Sequence, residues 1–142
     1  YKVHLDGHDQ LDYLTGATDQ SPRQHFFYVS DDGDLTALRF DNWKVVFMEQ
    51  RSTGTLQVWA DPYTELRVPK IFNLRTDPFE RADVTSNTYY DWLIDRAYLL
   101  VPAQAFVMQM AQSLAEFPPR QEPAAFNVSK VMEKLQIGIS SA

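Results

Sequence analysis

The sequence contains no cysteine in its 142 residues. Disulfides, zinc–thiolate centres and thiol nucleophiles are therefore excluded within the chain, while the redox compartment stays open. Glycine is scarce, at five residues scattered along the length. Phosphate-cradling loops, dinucleotide-binding fingerprints and nucleophile elbows all need glycine at fixed spacing, and none can be assembled. No run approaches the roughly 18 consecutive apolar residues needed to cross a bilayer. Basic clusters are missing as well: 13 Lys and Arg are outnumbered by 19 Asp and Glu, for a formal charge of −6. That balance repels a phosphate backbone, which excludes nucleic acid as a partner, and it would not steer in any anionic ester. The chain opens at Tyr1 without Met and without the basic and apolar sections of a secretory signal, and so reads as a piece of something longer.

What is present is globular. Hydrophobic residues make up 44% and aromatics 13%, enough to build one core in a chain of single-domain length. Residues 1–24 read as a linker. Within them Tyr1–Leu5 suggests a short strand ended by Asp6-Gly7, Gln10–Leu14 a helical turn or two closed by Gly16, and Ala17–Gln24, with Pro22, a surface loop. Residues 25–74 have strand character. His25–Val29 and Leu35–Phe40 flank Asp31-Asp32-Gly33-Asp34, a hairpin signature because Asp-Gly tolerates the positive φ of tight turns. Asp41-Asn42 makes a second turn before Trp43–Gln50. A looser loop around Gly54 leads to Leu56–Ala60, and beyond Pro62 and Pro69 the segment Lys70–Leu74 reads as a fourth or fifth strand.

Side chains alternate across a strand, so Trp43, Val45 and Phe47 share one face and Val46 and Met48 the other. Phe27 and Val29 likewise oppose Phe26 and Tyr28. Apolar residues on both faces call for two covers. One cover is residues 86–117, a helical layer. Ser86 or Asn87 is placed to cap its start, Trp92, Leu93, Leu99 and Leu100 recur near helical spacing, and Pro102 should break it near Leu100–Val101. Phe106, Val107, Met110 and Leu114 continue an amphipathic stripe until Pro118-Pro119 ends it. Gln121–Ala125 is a linker, and Asn127 caps a short helix over 127–136. The second sheet face is left as an apolar docking surface. The fold class is α+β: an antiparallel sheet of about four strands packed by a long, Pro-broken helical segment, forming one unit over residues 1–142.

Local chemistry is thin. His4 and His8 have a helical ligand spacing, but Asp6 and Gly7 between them disfavour a helix and no third ligand is placed. Asp31, Asp32 and Asp34 lack the alternating ligands and terminal Glu of a calcium loop and read as a solvated turn. Asn127-Val128-Ser129 matches a glycosylation acceptor that helix capping explains equally. Met108, Met110 and their aromatic neighbours are core residues. No residue is assigned a catalytic, cofactor-binding or metal-binding role.

Several segments resemble one family. Lys2-Val3-His4-Leu5-Asp6-Gly7 and Gln10-Leu11-Asp12-Tyr13-Leu14-Thr15-Gly16 resemble the stretch that follows the catalytic domain of bacterial arylsulfatases. Phe26-Phe27-Tyr28, Ala37-Leu38-Arg39 and Asn42-Trp43-Lys44 are similar to that family's successive tyrosine, arginine and tryptophan–lysine strands. Phe72-Asn73-Leu74-Arg75-Thr76-Asp77-Pro78-Phe79-Glu80 is the most specific match, to a Leu-Asn-Leu-x-x-Asp-Pro-x-Glu run near the family's C-terminus. The resemblance extends to Pro118-Pro119-Arg120. It implies a two-part hydrolase of sulfuric esters whose large α/β domain carries a formylglycine nucleophile, from Cys or Ser in Cys/Ser-x-Pro-x-Arg, together with calcium. That motif is not in this chain: two residues before Pro22 stands Gln20, so Ser21-Pro22-Arg23 does not match. Formylglycine and calcium thus belong to the missing catalytic domain, and no cofactor is held here. The resemblance implies a C-terminal subdomain, inactive alone, that packs on that domain and walls its cleft, soluble in a bacterial cytoplasm or periplasm. The alternative is an autonomous binding or self-associating module. Asp77 and Glu80 are expected to be structural.

Overall fold

The computed structural model describes residues 7–52 and 54–118. The expected Tyr1–Leu5 strand and 127–136 helix lie outside the described residues. Four strands form one antiparallel sheet in the order β1 (His25–Val29), β2 (Leu35–Phe40), β3 (Trp43–Glu49), β4 (Thr64–Asn73). Among the described residues five α-helices accompany it: α1 (Leu11–Leu14), α2 (Gln57–Ala60), α3 (Ala82–Thr85), α4 (Tyr89–Asp95) and α5 (Leu100–Glu116), with a 3-10 turn at Ala97–Leu99 between the last two.

The turns follow from their residues. Gly33 has φ 85° between β1 and β2, and the Ser30 hydroxyl accepts the Asp34 amide at 3.1 Å. Asp41 takes φ 51° in the two-residue link that leaves Phe40 paired with Trp43; Asp is among the few side chains that tolerate this conformation. β4 is longer than the expected Lys70–Leu74 and passes through Pro69. Its register explains how. Val46 pairs with Lys70 but Met48 pairs with Glu65, so the residues between bulge out of the ladder. Proline, which has no amide proton to donate, is accepted in such an edge bulge. The segment at Leu56–Ala60 is helical at Gln57–Ala60, fastened where the Gln50 Nε2 donates to the carbonyls of Val58 (2.7 Å) and Asp61 (2.5 Å).

On the first face, Phe27, Leu38, Val45 and Ile71 stand directly opposite one another across all four strands. Leu38, Val45 and Ile71 are wholly buried and cluster with Leu93, Leu99 and Ala103 of the helical layer. Each such aliphatic side chain contributes about 1.5–3 kcal/mol through removal from water. Phe106 of α5 sits 4.6 Å from the His25 ring and 5.6 Å from Phe40, while Trp92 of α4 lies 6.2 Å from Trp43.

The helical layer is divided differently from the expectation. α4 ends at Asp95, the chain tightens at Ala97–Leu99, and α5 begins at Leu100. Pro102 is therefore the third residue of α5 and does not break it, because a first-turn amide has no helical acceptor to lose. The start differs too: Thr88 precedes α4 without a side-chain cap, and the Ser86 hydroxyl instead takes the Thr88 amide at 3.4 Å.

Tyr89 closes one edge of the sheet. Its phenol donates to the Ile71 carbonyl (2.9 Å) and accepts the Ile71 amide (3.1 Å), standing in for a fifth strand at that position of β4. An unpaired strand edge is a template for aggregation, and this contact covers part of it.

Candidate functional site

The second sheet face corrects the expectation of a bare apolar surface. Two rows cross it: Phe26, Arg39, Lys44 and Phe72, then Tyr28, Ala37, Val46 and Lys70. Counting only the apolar residues of β3 and β1 overlooked Lys44 and Lys70, which share this face, and the turn after β4 supplies their partners.

That turn is built by Asp77-Pro78. The Asp77 amide donates to the Asn73 carbonyl at 2.8 Å as the chain leaves β4. Its carboxylate then accepts the amides of Arg81 (3.0 Å) and Ala82 (2.8 Å), satisfying the free donors at the start of α3. Glu80 holds φ 53°, a left-handed conformation that a residue with a side chain adopts at a cost. The compensation is visible: both Glu80 carboxylate oxygens lie 2.8 Å from the Lys44 Nζ. The same ammonium sits 4.4 Å over the Tyr28 ring.

Lys70 forms the second half of the cluster, 2.5 Å from Glu49 and 2.6 Å from Asp83 of α3. Hydrogen bonding from Lys70 holds the Glu49 carboxyl below the ordinary carboxylate range against the opposing effect of burial, with Arg51 adding to it. Burial alone would lower the Lys70 ammonium, but its bonds to Asp83 and Glu49 outweigh that and raise it. Two lysines and three carboxylates thus staple the segment from Glu80 to Asp83 across the sheet.

Three concavities surround this array. A depression of about 430 Å³ is lined by Tyr28, Lys44, Glu49, Tyr63 and Glu80, among others. Its charged groups are already engaged with each other, so none is poised as a general acid, base or nucleophile. A smaller one of about 240 Å³ lies among Phe72, Asp77, Thr88, Tyr89 and Trp92. Its one carboxylate, Asp77, is occupied by two amides, and the Tyr89 phenol is pushed up to about 12 by burial. The third, about 460 Å³, is bounded by Arg23, His25, Phe26, Arg39 and Asp41. There Arg23 lies 5.7 Å over Phe26, and exposed Arg39 has no ion-pair partner among the described residues. Of these three concavities, this one holds a cationic side chain, Arg39, that is not paired among the described residues.

Of the residues weighed earlier, Asp31, Asp32 and Asp34 are exposed at the β1–β2 turn, His8 is exposed, and His4 lies outside the described residues. No group of three potential ligands for a metal ion occurs among the described residues. No helix among them is long and apolar enough to cross a membrane. Sequence reasoning missed Tyr89 as an edge cap and the partnership of Lys44 with Glu80. A signal for the latter was present, since a lysine in mid-strand beside aromatic residues needs a counter-charge.

Comparison with known proteins agrees with this architecture. A solved sulfatase from Pseudoalteromonas sp., PsFucS1, is 24% identical over 82% of this chain with a TM-score of 0.60. The match covers only 22% of that protein, so this chain spans about a fifth of its length. No curated protein matches the sequence. The family described as the C-terminal region of aryl-sulfatase matches residues 21–134, taking in the whole sheet, the stapled turn and the helical layer. The chain belongs to that family, and it is an α+β C-terminal region of the sulfatase kind.

Proposed function

We propose that this chain is a non-catalytic subdomain of an arylsulfatase-like sulfuric ester hydrolase. It packs on the large catalytic domain of the parent polypeptide and stabilises it. The observation that carries this reading is the engagement of the candidate site's charges: Lys44, Lys70, Glu49, Glu80 and Asp83 are paired with one another, and Asp77 caps a helix. Groups so engaged hold structure and transfer no protons. Formylglycine and calcium would be supplied by the large domain. Incubating the purified chain with an aryl sulfate chromogen tests the proposal: no turnover above buffer is expected, and measurable turnover would refute it.

The groove at Arg23 and Arg39 is the part of the chain suited to wall a cleft holding an anionic ester. The exposed guanidinium of Arg39 can bind an anion through paired N–H donors without reacting with it. In the parent enzyme, Arg39→Ala should raise KM for a sulfate ester several-fold and leave kcat nearly unchanged. Unchanged KM would remove the cleft-wall role and leave the docking role standing.

A further inference from the structure

We infer that the outer face of the α4–α5 layer, and not the sheet, is the surface by which this chain seats on the large domain; the inference rests on the reading just proposed. The layer carries large apolar side chains on both sides, with the exposed carboxylates Asp91 and Asp95 confined to α4. Inward, Tyr89, Leu93, Leu99 and Ala103 are buried against the sheet. Outward, Tyr90, Ile94, Tyr98 and Val101 recur at spacings of four, four and three, and Met108 follows two turns later; each is more than half exposed, which corrects the expectation that Met108 packs in the core, since it lies on the side of α5 turned away from the sheet. Large apolar side chains on the outer side of a helical layer, from Tyr98 through Met108 with no charge among them, mark a face that is not yet buried.

Charge points the same way. Residues 97–115 contain no Asp, Glu, Lys, Arg or His, although 23% of the whole chain is charged. α5 runs for 17 residues with one charged residue, Glu116, at its very end. A helix facing water carries charges on its outer side, whereas depletion of charge is the compositional mark of an interface core. The sheet's second face is charged: Lys44 and Lys70 are paired within the chain, and Arg39 stands exposed beside them. A partner for the helical face must be apolar and uncharged in kind. The large domain meets that need by continuity, because in the solved sulfatase this fold accounts for 22% of one chain.

Hydroxyl-radical footprinting of the chain alone and of the parent polypeptide tests the assignment. Tyr90, Tyr98 and Met108 should react readily in the isolated chain and several-fold more slowly in the parent. Trp59 and Phe79, both 82% exposed and outside α4 and α5, serve as references. If protection in the parent falls elsewhere while these three remain reactive, the surface is wrong but docking stands. If nothing in the chain is protected in the parent, the docking reading fails with it. Slow reaction in the isolated chain would also overturn the inference: a concentration-dependent rate would name a second copy as the occupant, and a concentration-independent one the chain itself.

Discussion

Tyr89 does three things with one side chain: it fills the core, stacks near Phe72 at 5.8 Å, and pairs with both polar groups of Ile71. Tyr89→Phe keeps the ring and removes only the pairing. The buried Ile71 amide and carbonyl would be left unsatisfied, so urea denaturation should show a loss of about 1–3 kcal/mol. The phenol has a further signature. Its pKa is pushed up to about 12, first by burial, so its contribution is fully present below the unfolded value near 10 and disappears as pH rises through about 12. Absorbance titration should find one tyrosine ionising only in that range. Lys70 and Glu49 give the acid side. Glu49 is depressed in the folded state, so its contribution is present above the ordinary carboxylate range and is lost as pH falls through the lower folded value. Lys70→Ala should cost about 1–3 kcal/mol at neutral pH, because two partly buried carboxylates lose their shared cation. The same substitution should flatten the acid limb of the stability curve. A limb identical to that of the unaltered chain would show that the Lys70 cluster does not set it.

At the scale of elements, the stapled turn is where local strain and tertiary pairing meet. Glu80 keeps a left-handed φ because Lys44 holds its carboxylate. Glu80→Ala removes the pair and keeps the strain; Glu80→Gly removes both. The glycine variant should therefore be more stable than the alanine variant by about 1 kcal/mol in thermal or urea unfolding. An alanine variant as stable as glycine would mean the turn is not strained. The sequence showed β1, β2 and β3 nearly residue for residue, since each is an aromatic or β-branched run bounded by Asp-Gly or Asp-Asn. It showed the second half of β4 at Lys70–Leu74 and concealed the first, because Pro69 marks a bulge that only pairing with β3 can reveal. It placed the helix break close to where the 3-10 turn Ala97–Leu99 meets α5 at Leu100, but Pro102 sits in the first turn of α5 and does not itself make the break. The second face was misread for a related reason. Periodicity shows which residues share a face, but not that Glu80 and Asp83 return from a distant turn to neutralise Lys44 and Lys70.

For the whole molecule, the consequence is a sheet that is complete and a helical layer that is not. One sheet face is covered by α4 and α5, and part of the other by ion pairs and the Asp-Pro turn. Its unfinished surface is the apolar outer side of the helices, uncharged from Ala97 through Ala115. Placing charge there separates folding from docking. Val101 and Met108 are exposed, so the double substitution Val101→Glu and Met108→Glu should leave the melting midpoint of the isolated chain within about a degree or two, as surface changes do. In the parent polypeptide the same pair would bury two carboxylates against an apolar partner, a cost of several kcal/mol, and the midpoint should fall by many degrees. Val68→Glu, on the exposed part of β4, should change neither. Paired melting curves of chain and parent carrying Val101→Glu and Met108→Glu are thus the decisive measurement: a large drop in the parent alone is what the account predicts, and equal shifts in both, or none in either, would contradict it.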